Sequence, residues 1–203
     1  MINNKTITLF CLSTDLPEES IRVMKHCYSV FPHFDQIKLL TSYSGQEDKV
    51  EIVKVDNVKN YNDYNKFMVE SISAYITTDF CLVVQSDGYI INPGSWDNAF
   101  LNYDYIGAPW PWLGNICGNG GFSLRSKKII DLASKLKYVD GTPEDNVYCL
   151  NERDYFINNN VLFPDAHLAS KFSFEHPTGF QHAGLHASFG FHGKFHMASV
   201  PKI

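Results

Sequence analysis

Residues 82–88 read Leu-Val-Val-Gln-Ser-Asp-Gly, an apolar strand that stops at one carboxylate followed by glycine. Open α/β sheets bind ligands beyond the carboxyl ends of their strands, and a nucleotide-dependent enzyme of that class would place a metal-bound diphosphate there. Gly88 permits a sharp turn and a close approach of a ligand to the backbone. Because Asp-Gly pairs are also common in plain turns, the meaning of Asp87 depends on the rest of the chain.

The sequence before this stretch alternates between strand and helix patterns. Strands are predicted over residues 6–12, 36–41, 50–55 and 80–85. Pro17 and the acids that follow it predict a helix start, and apolar residues at three- and four-residue steps predict a helix over residues 61–78. This alternation predicts the α/β class, with a largely parallel sheet flanked by helices.

The character of the chain changes after Asp87. Residues 88–125 are rich in Gly, Pro, Asn and Trp, and helical patterns return over residues 126–138 and 144–159. The 203 residues and 44% hydrophobic content suit one domain with a substantial core. We predict a single domain, with a nucleotide-binding half at about 1–90 and an acceptor half at about 91–203.

Charge and cysteine usage narrow the class of protein. The net charge is −5 and there is no basic run, which argues against a long nucleic-acid footprint. The five cysteines are odd in number and lack CxxC spacing, which favours a reduced, cytoplasmic protein. No apolar run reaches 18 residues, so no membrane span is expected. Residues 7–12 are interpreted as a strand rather than a signal peptide, because no small-residue cleavage site follows.

Two motifs in the second half of the chain contain residue types that can bind a ligand or take part in catalysis. Residues 118–125 read Gly-Asn-Gly-Gly-Phe-Ser-Leu-Arg, and glycines at this density suit close backbone approach to a ligand or an ordinary hairpin. Pro143-Glu144-Asp145 stands at a predicted helix start, where the helix dipole favours ionised carboxylates. These acids are either an ordinary helix start or candidates for a general base.

Aromatic and histidine segments complete the candidate chemistry. Residues 103–112 combine tyrosine, proline and tryptophan, a composition that lines an acceptor pocket or packs a subdomain. The segment Phe191-His192-Gly193-Lys194 offers an imidazole that can ligate a metal and an ammonium that can meet a phosphate charge.

Zinc chemistry is a further reading of the histidine-rich tail. His182 and His186, and again His192 and His196, have the four-residue spacing of a zinc pair on a helix. Interspersed glycines disfavour a continuous helix there, so a zinc hydrolase is the weaker alternative.

The order of these motifs resembles an uncharacterised family of domains that is grouped with the glycosyltransferases. The resemblance covers roughly residues 60–195, and several ordered motifs are more specific than any one alone. The matching segments are residues 64–67, 85–88, 103–110, 118–125, 143–145, 169–175 and 190–193. The resemblance implies the GT-A fold, which is one Rossmann-like α/β domain with a mostly parallel, mixed sheet. Domains of this fold bind a nucleotide-sugar donor.

The resemblance also implies a metal on the donor diphosphate. GT-A enzymes use an Asp-x-Asp motif after a strand, and here the corresponding residues are Gln85-Ser86-Asp87, with only the second acid present. Asp87 and His192 are therefore the expected ligands of Mn²⁺ or Mg²⁺. The expected donor-binding residues are Ser13, Thr14, Asp15, Lys66, Gln85, Ser86, Asp87, Gly120, Gly121, Gly193 and Lys194.

The implied reaction is hexosyl or pentosyl transfer from a nucleotide-sugar, with UDP as the expected nucleotide and inversion at the anomeric carbon. Asp145 is the first choice for the base that deprotonates the acceptor hydroxyl, and Glu144 is the second. The acceptor stays open between a glycan, a protein, a small molecule and a hydroxylated base of viral DNA. The alternative function is a non-catalytic sugar- or nucleotide-binding module, which the missing first acid would suit.

Overall fold

The computed structural model describes residues 2–114, 116–177 and 184–203. Its strands are β1 (Ile7–Leu12), β2 (Gln36–Thr41), β3 (Glu51–Lys54), β4 (Phe80–Val83), β5 (Tyr105–Ile106), β6 (Pro109–Trp110), β7 (Ile116–Cys117), β8 (Ser123–Ser126), β9 (Ser173–Phe174) and β10 (Gly190–Phe191). Its α-helices are α1 (Pro17–Val30), α2 (Tyr61–Glu70), α3 (Lys127–Ala133), α4 (Glu144–Asn146), α5 (Arg153–Asn158) and α6 (Ala166–Phe172).

A six-stranded sheet in the order β3-β2-β1-β4-β8-β5 forms the centre of the fold. β1 runs parallel to β2 and β4, and β2 runs parallel to β3. β8 is antiparallel to both β4 and β5. The predicted α/β class, with a mostly parallel but mixed sheet flanked by helices, is confirmed.

The two middle strands form the core because helices and loops cover both of their faces. Every residue of β1 and of β4 is buried, and a strand buried on both faces reads as a continuous apolar run. Each fully buried aliphatic or aromatic side chain contributes about 1.5–3 kcal/mol by leaving water. The candidate site begins at the carboxyl ends of these two strands.

Local signals place the starts of α1 and α2. Pro17 occupies the first turn of α1, followed by Glu18 and Glu19, which the positive end of the helix dipole favours. The side chain of Asn60 accepts a hydrogen bond from the backbone N–H of Asp63 and so caps α2.

Two predicted helices are interrupted in the structure. The helix predicted over residues 61–78 ends at Glu70 and continues as a 3-10 turn, Ile72–Tyr75, because the β-branched residues that follow favour extended backbone. The helix predicted over residues 144–159 contains a π-helical turn, Val147–Asn151. Such a turn inserts one residue into the helix and is frequent at functional sites.

None of the described helices is both long and apolar enough to cross a lipid bilayer. All five cysteines are buried thiols. The sheet draws strands from both parts of the chain, and the division into a nucleotide-binding half and an acceptor half stays a prediction.

Candidate functional site

A cavity of about 450 Å³ opens at the carboxyl ends of β1 and β4. The strand order changes direction around β1, with β2 on one side and β4 on the other, and open α/β sheets bind ligands at such a point. The predicted residues that line the cavity are Ser13, Thr14, Asp15, Gln85, Ser86, Asp87, His192 and Lys194. The other lining residues are Cys11, Leu12, Leu16, Val58, Lys59, Asn60, Tyr61 and Tyr64.

A tight turn presents Ser86 and Asp87 to this cavity. The backbone N–H and C=O groups of Gln85 and Gly88 bond each other at 3.1 and 3.3 Å, which leaves the two residues between them at the tip. A Cβ at Gly88 would lie 3.0 Å from the imidazole of His192. Glycine at this position therefore lets the turn pack directly against the histidine.

His192 lies between two carboxylates from distant parts of the chain. Its Nε2 is 3.5 Å from Asp87 Oδ1, and its Nδ1 is 3.2 Å from Glu175 Oε1. Burial lowers the pKa of His192, but the hydrogen bonds and negative charges of Asp87 and Glu175 outweigh it and raise that pKa to about 9. Burial raises the pKa of Asp87, yet the hydrogen bond and charge of His192 bring it below the ordinary value.

Asn119 and Glu175 both contact Nδ1 of His192, with the amide nitrogen of Asn119 at 2.9 Å and Oε1 of Glu175 at 3.2 Å. A carboxylate that accepts the Nδ1–H leaves Nε2 beside Asp87, the arrangement by which second partners orient metal-binding histidines. A hydrogen bond also sets the orientation of the Gln85 amide, because its Nε2 donates to Tyr64 Oη at 2.7 Å. The amide oxygen of Gln85 then lies 3.1 Å from His192 Nε2.

The donor atoms at this point suit a divalent cation shared with a phosphate ligand. Asp87 and His192 present a carboxylate and an imidazole, and Gln85 adds an amide oxygen. Within residues 2–114, 116–177 and 184–203, no group of three or more His, Cys, Asp or Glu side chains is placed to hold a metal ion. Mg²⁺ and Mn²⁺ keep waters and take ligands from substrate phosphates, so a small protein donor set fits them.

The two candidate bases have different environments. Glu144 is 4% exposed and pairs with the fully buried Arg125 at 2.8 Å. Asp145 is partly exposed and accepts hydrogen bonds from the backbone N–H groups of Gly120 and Asn146, at 3.3 and 2.9 Å. Burial, followed by the negative charge of Glu144, raises the pKa of Asp145 to about 6.

Gly120 and Gly121 connect the base candidates to the metal candidates. A Cβ on Gly120 would lie 1.8 Å from Glu144 Oε1, and a Cβ on Gly121 would lie 2.1 Å from His192 Nε2. The glycines thus let two functional side chains pack against adjacent peptides. Neither glycine lines the cavity, and a direct contact with the donor stays a prediction.

Lys66 and Gly193 differ in placement from the other predicted donor contacts. The side chain of Lys66 is exposed, lies 4.0 Å from Glu70 one turn along α2, and does not line the cavity. Lys59, just before α2, lines it instead. Gly193 lies next to the cavity, where its N–H donates to the backbone oxygen of Asp87 at 2.9 Å.

Sequence reasoning also missed the contacts that Arg125, Asn119 and Glu175 make in this region. Each lies inside a motif that was noticed for other reasons, within residues 118–125 or 169–175. Their roles appear only through contacts with Glu144 and His192, which local patterns do not contain.

Of the two histidine pairs in the tail, the one that the structure describes, His192 and His196, does not converge as the zinc reading requires. His192 Nε2 faces Asp87 and Gln85, whereas His196 Nε2 lies 2.6 Å from the backbone oxygen of Glu175. His182 lies outside the described residues.

The fold corresponds to that of GT-A glycosyltransferases. A glycosyltransferase involved in glycosylation of the major capsid of PBCV-1 is similar over 92% of this chain and 92% of its own, at 12% identity and a TM-score of 0.54. The galactosyltransferase LgtC, solved with donor and acceptor sugar analogs, is similar over 91% of this chain and 86% of its own, at 10% identity and a TM-score of 0.52. These likenesses show the GT-A fold and confirm that prediction.

The chain belongs to the family described as "Protein of unknown function (DUF5672)", which matches residues 47–192. This confirms the resemblance to an uncharacterised family. Glucosyl-3-phosphoglycerate synthase from Mycobacterium tuberculosis, in complex with Mn²⁺, UDP and glucosyl-3-phosphoglycerate, is similar over 62% of this chain at 12% identity and a TM-score of 0.44. This chain spans 58% of the length of that protein. No curated protein matches the sequence.

Proposed function

We propose that this chain is a glycosyltransferase that moves a sugar from a nucleotide-diphosphate sugar, with UDP as the nucleotide, to an acceptor hydroxyl. The observation that carries the proposal is the cavity beyond β1 and β4, where Asp87 and His192 meet at 3.5 Å. Ser13, Thr14 and Asp15 line the same cavity, where they would contact the nucleotide.

Asp87 and His192 would hold Mn²⁺ or Mg²⁺, with the amide oxygen of Gln85 close by. When bound, the metal would act as a Lewis acid that stabilises the departing diphosphate. Lys194 and Lys59 also line the cavity, and their ammonium groups would offset phosphate charge. Glu175 acts through His192, because it holds the imidazole with Nε2 toward Asp87.

We assign the base to Asp145. It takes the proton of the acceptor hydroxyl, the hydroxyl oxygen bonds to the anomeric carbon, and the bond from that carbon to the diphosphate oxygen breaks with inversion. Glu144 is a poorer base because Arg125 pairs with it away from solvent. Its role is to position Arg125 and the glycine segment beside Asp145.

A non-catalytic sugar- or nucleotide-binding module is the second candidate. The observation that favours it is Gln85, a neutral amide where the Asp-x-Asp motif has its first acid. Asp145 distinguishes the two functions, since binding alone needs no base with a pKa near 6.

We also propose a cytoplasmic location. All five cysteines are packed as buried thiols, a use of cysteine that suits a reducing compartment.

Calorimetric titration of UDP with and without Mn²⁺ tests the donor site. We expect Mn²⁺-dependent binding to the wild type and a loss of at least about tenfold in affinity in Asp87→Ala, because one of two protein ligands is removed. Asp56→Ala is the matched control, since that exposed acid makes only a surface ion pair with Lys54. Equal UDP binding by wild type and Asp87→Ala, or none by either, would contradict the proposal.

Gly121→Ala tests whether close packing holds His192 in place. The new methyl group would overlap His192 Nε2 and approach Gln85 Oε1, so the imidazole must move away from Asp87. We expect Mn²⁺-dependent UDP affinity to fall by about 10- to 100-fold, as for other changes that misorient a metal ligand. Gly94→Ala is the control because a Cβ there meets nothing within 4 Å. Equal UDP affinity in the two variants would show that the packing is dispensable.

A further inference from the structure

Three aromatic rings form an exposed surface, here called the aromatic platform, beside the candidate donor site. The platform consists of Trp112, His176 and Phe195. The rings of Trp112 and His176 lie 4.9 Å apart, edge to face, and those of His176 and Phe195 are stacked at 5.5 Å. Trp112 and Phe195 are each 60% exposed. Adjoining exposed apolar side chains of this size mark a binding surface more often than isolated ones do.

Two contacts join the platform to the candidate donor site. Glu175 presents Oε1 to His192 at 3.2 Å and Oε2 to His176 at 3.8 Å. Lys194, which precedes Phe195 in the chain, lines the donor cavity. One carboxylate therefore separates the platform from the proposed metal ligand, so an acceptor on the platform would lie next to the proposed donor site.

The platform also has a rigid base that leads to the candidate catalytic acid. Trp112 stacks on Trp110 at 6.3 Å, and the buried ring of Trp110 covers Gly118, where a Cβ would lie 2.2 Å from the indole. Two residues further on, Gly120 donates its N–H to Asp145. Because the ring is held before any ligand arrives, binding costs little ordering of side chains.

We propose that the aromatic platform is the acceptor subsite and that the acceptor is a saccharide. The inference rests on the proposed glycosyl transfer. A pyranose ring lays its C–H face on the indole of Trp112, and its hydroxyls hydrogen-bond to the polar edges of His176 and Glu175. A nucleic-acid acceptor fits less well, since the chain carries a net charge of −5 and Glu175 would face the phosphates.

Saturation-transfer NMR with defined sugars tests the subsite. The probes are methyl β-D-glucopyranoside, methyl β-D-galactopyranoside, methyl α-D-mannopyranoside and cellobiose, each added to the protein with UDP and Mn²⁺. We expect at least one probe to bind the wild type and to bind Trp112→Ala about tenfold more weakly, as the loss of one stacking face requires. Trp112→Phe should recover most of the affinity. Leu162→Ala, which truncates an exposed apolar side chain outside the platform, should bind like the wild type.

The outcomes separate this inference from the proposed function. If UDP binds but no probe does, or if Trp112→Ala binds the probes as the wild type does, the platform is not a saccharide subsite. The inference would also be overturned if an oligonucleotide that contains 5-hydroxymethylcytosine binds the protein while none of the sugar probes does. If the probes bind through Trp112 while UDP does not bind, the platform stands and the proposed donor chemistry fails.

Discussion

The Asp145→Asn variant is expected to lose about 10²- to 10⁴-fold in turnover, the usual contribution of a general base, with UDP affinity unchanged. Asparagine has the shape of aspartate, and its single amide oxygen can keep the hydrogen bond from the N–H of Asn146, whereas its NH2 group cannot accept the bond from Gly120. Its amide cannot take a proton from a hydroxyl at neutral pH. Turnover is measured as UDP release from a panel of UDP-sugars with the acceptors that bind. Asp154→Asn, in an exposed position on α5, is the matched control.

The pH dependence separates a lost base from a lost fold. Burial and the charge of Glu144 raise the pKa of Asp145 to about 6, so kcat/KM of the wild type should fall tenfold per pH unit below that value. A raised carboxyl pKa means that the folded state loses stability as pH rises through about 6. At pH 7 the Asp145→Asn variant avoids the cost of a buried charge but loses the hydrogen bond from Gly120, so it should be about as stable as the wild type despite its loss of turnover. An unchanged turnover or an unchanged acid limb in this variant would remove Asp145 from the mechanism.

The sheet and one wall of the site could be predicted from sequence because both depend on local patterns. Buried strands read as apolar runs, and the carboxyl end of β4 had to place Asp87 at an edge where ligands bind. Ser13 and Thr14 follow β1 for the same reason, and they line the same cavity as Asp87. A ligand role for His192 came from the order of motifs, since its contact with Gln85 spans 107 residues of chain.

The parts that sequence reasoning missed depend on long-range packing. Lys66 and Lys59 are equally good cations in the sequence, and only the direction of α2 decides that Lys59 reaches the cavity. Gly120 and Gly121 make room for Glu144 and His192, a packing role that the local glycine pattern does not reveal, and their expected contact with the donor stays a prediction. The π-helical turn after α4 contains buried side chains such as Tyr148. Because that burial depends on distant parts of the chain, no local pattern predicts the turn.

Arg125→Met is expected to lower the free energy of unfolding by about 3–5 kcal/mol, which is the usual cost of removing one partner of a buried ion pair. The guanidinium of Arg125 pairs with Glu144 at 2.8 Å and also donates to the backbone oxygen of Gly120 at 3.2 Å. Its carbon lies 4.8 Å from the ring centre of Tyr148. The substitution leaves a carboxylate buried without its cation. Urea unfolding of the two proteins measures the difference.

The double variant Arg125→Met/Glu144→Leu should recover most of that stability, because apolar residues of similar volume can replace a buried ion pair with little loss. Arg22→Met removes the cation of an exposed pair with Glu19 at 3.4 Å and should change stability by no more than about 0.5 kcal/mol. A loss in Arg125→Met no larger than in Arg22→Met would show that the buried pair is already neutral or hydrated. Recovery of stability without recovery of turnover in the double variant would show that the pair acts on catalysis through the glycine segment and Asp145.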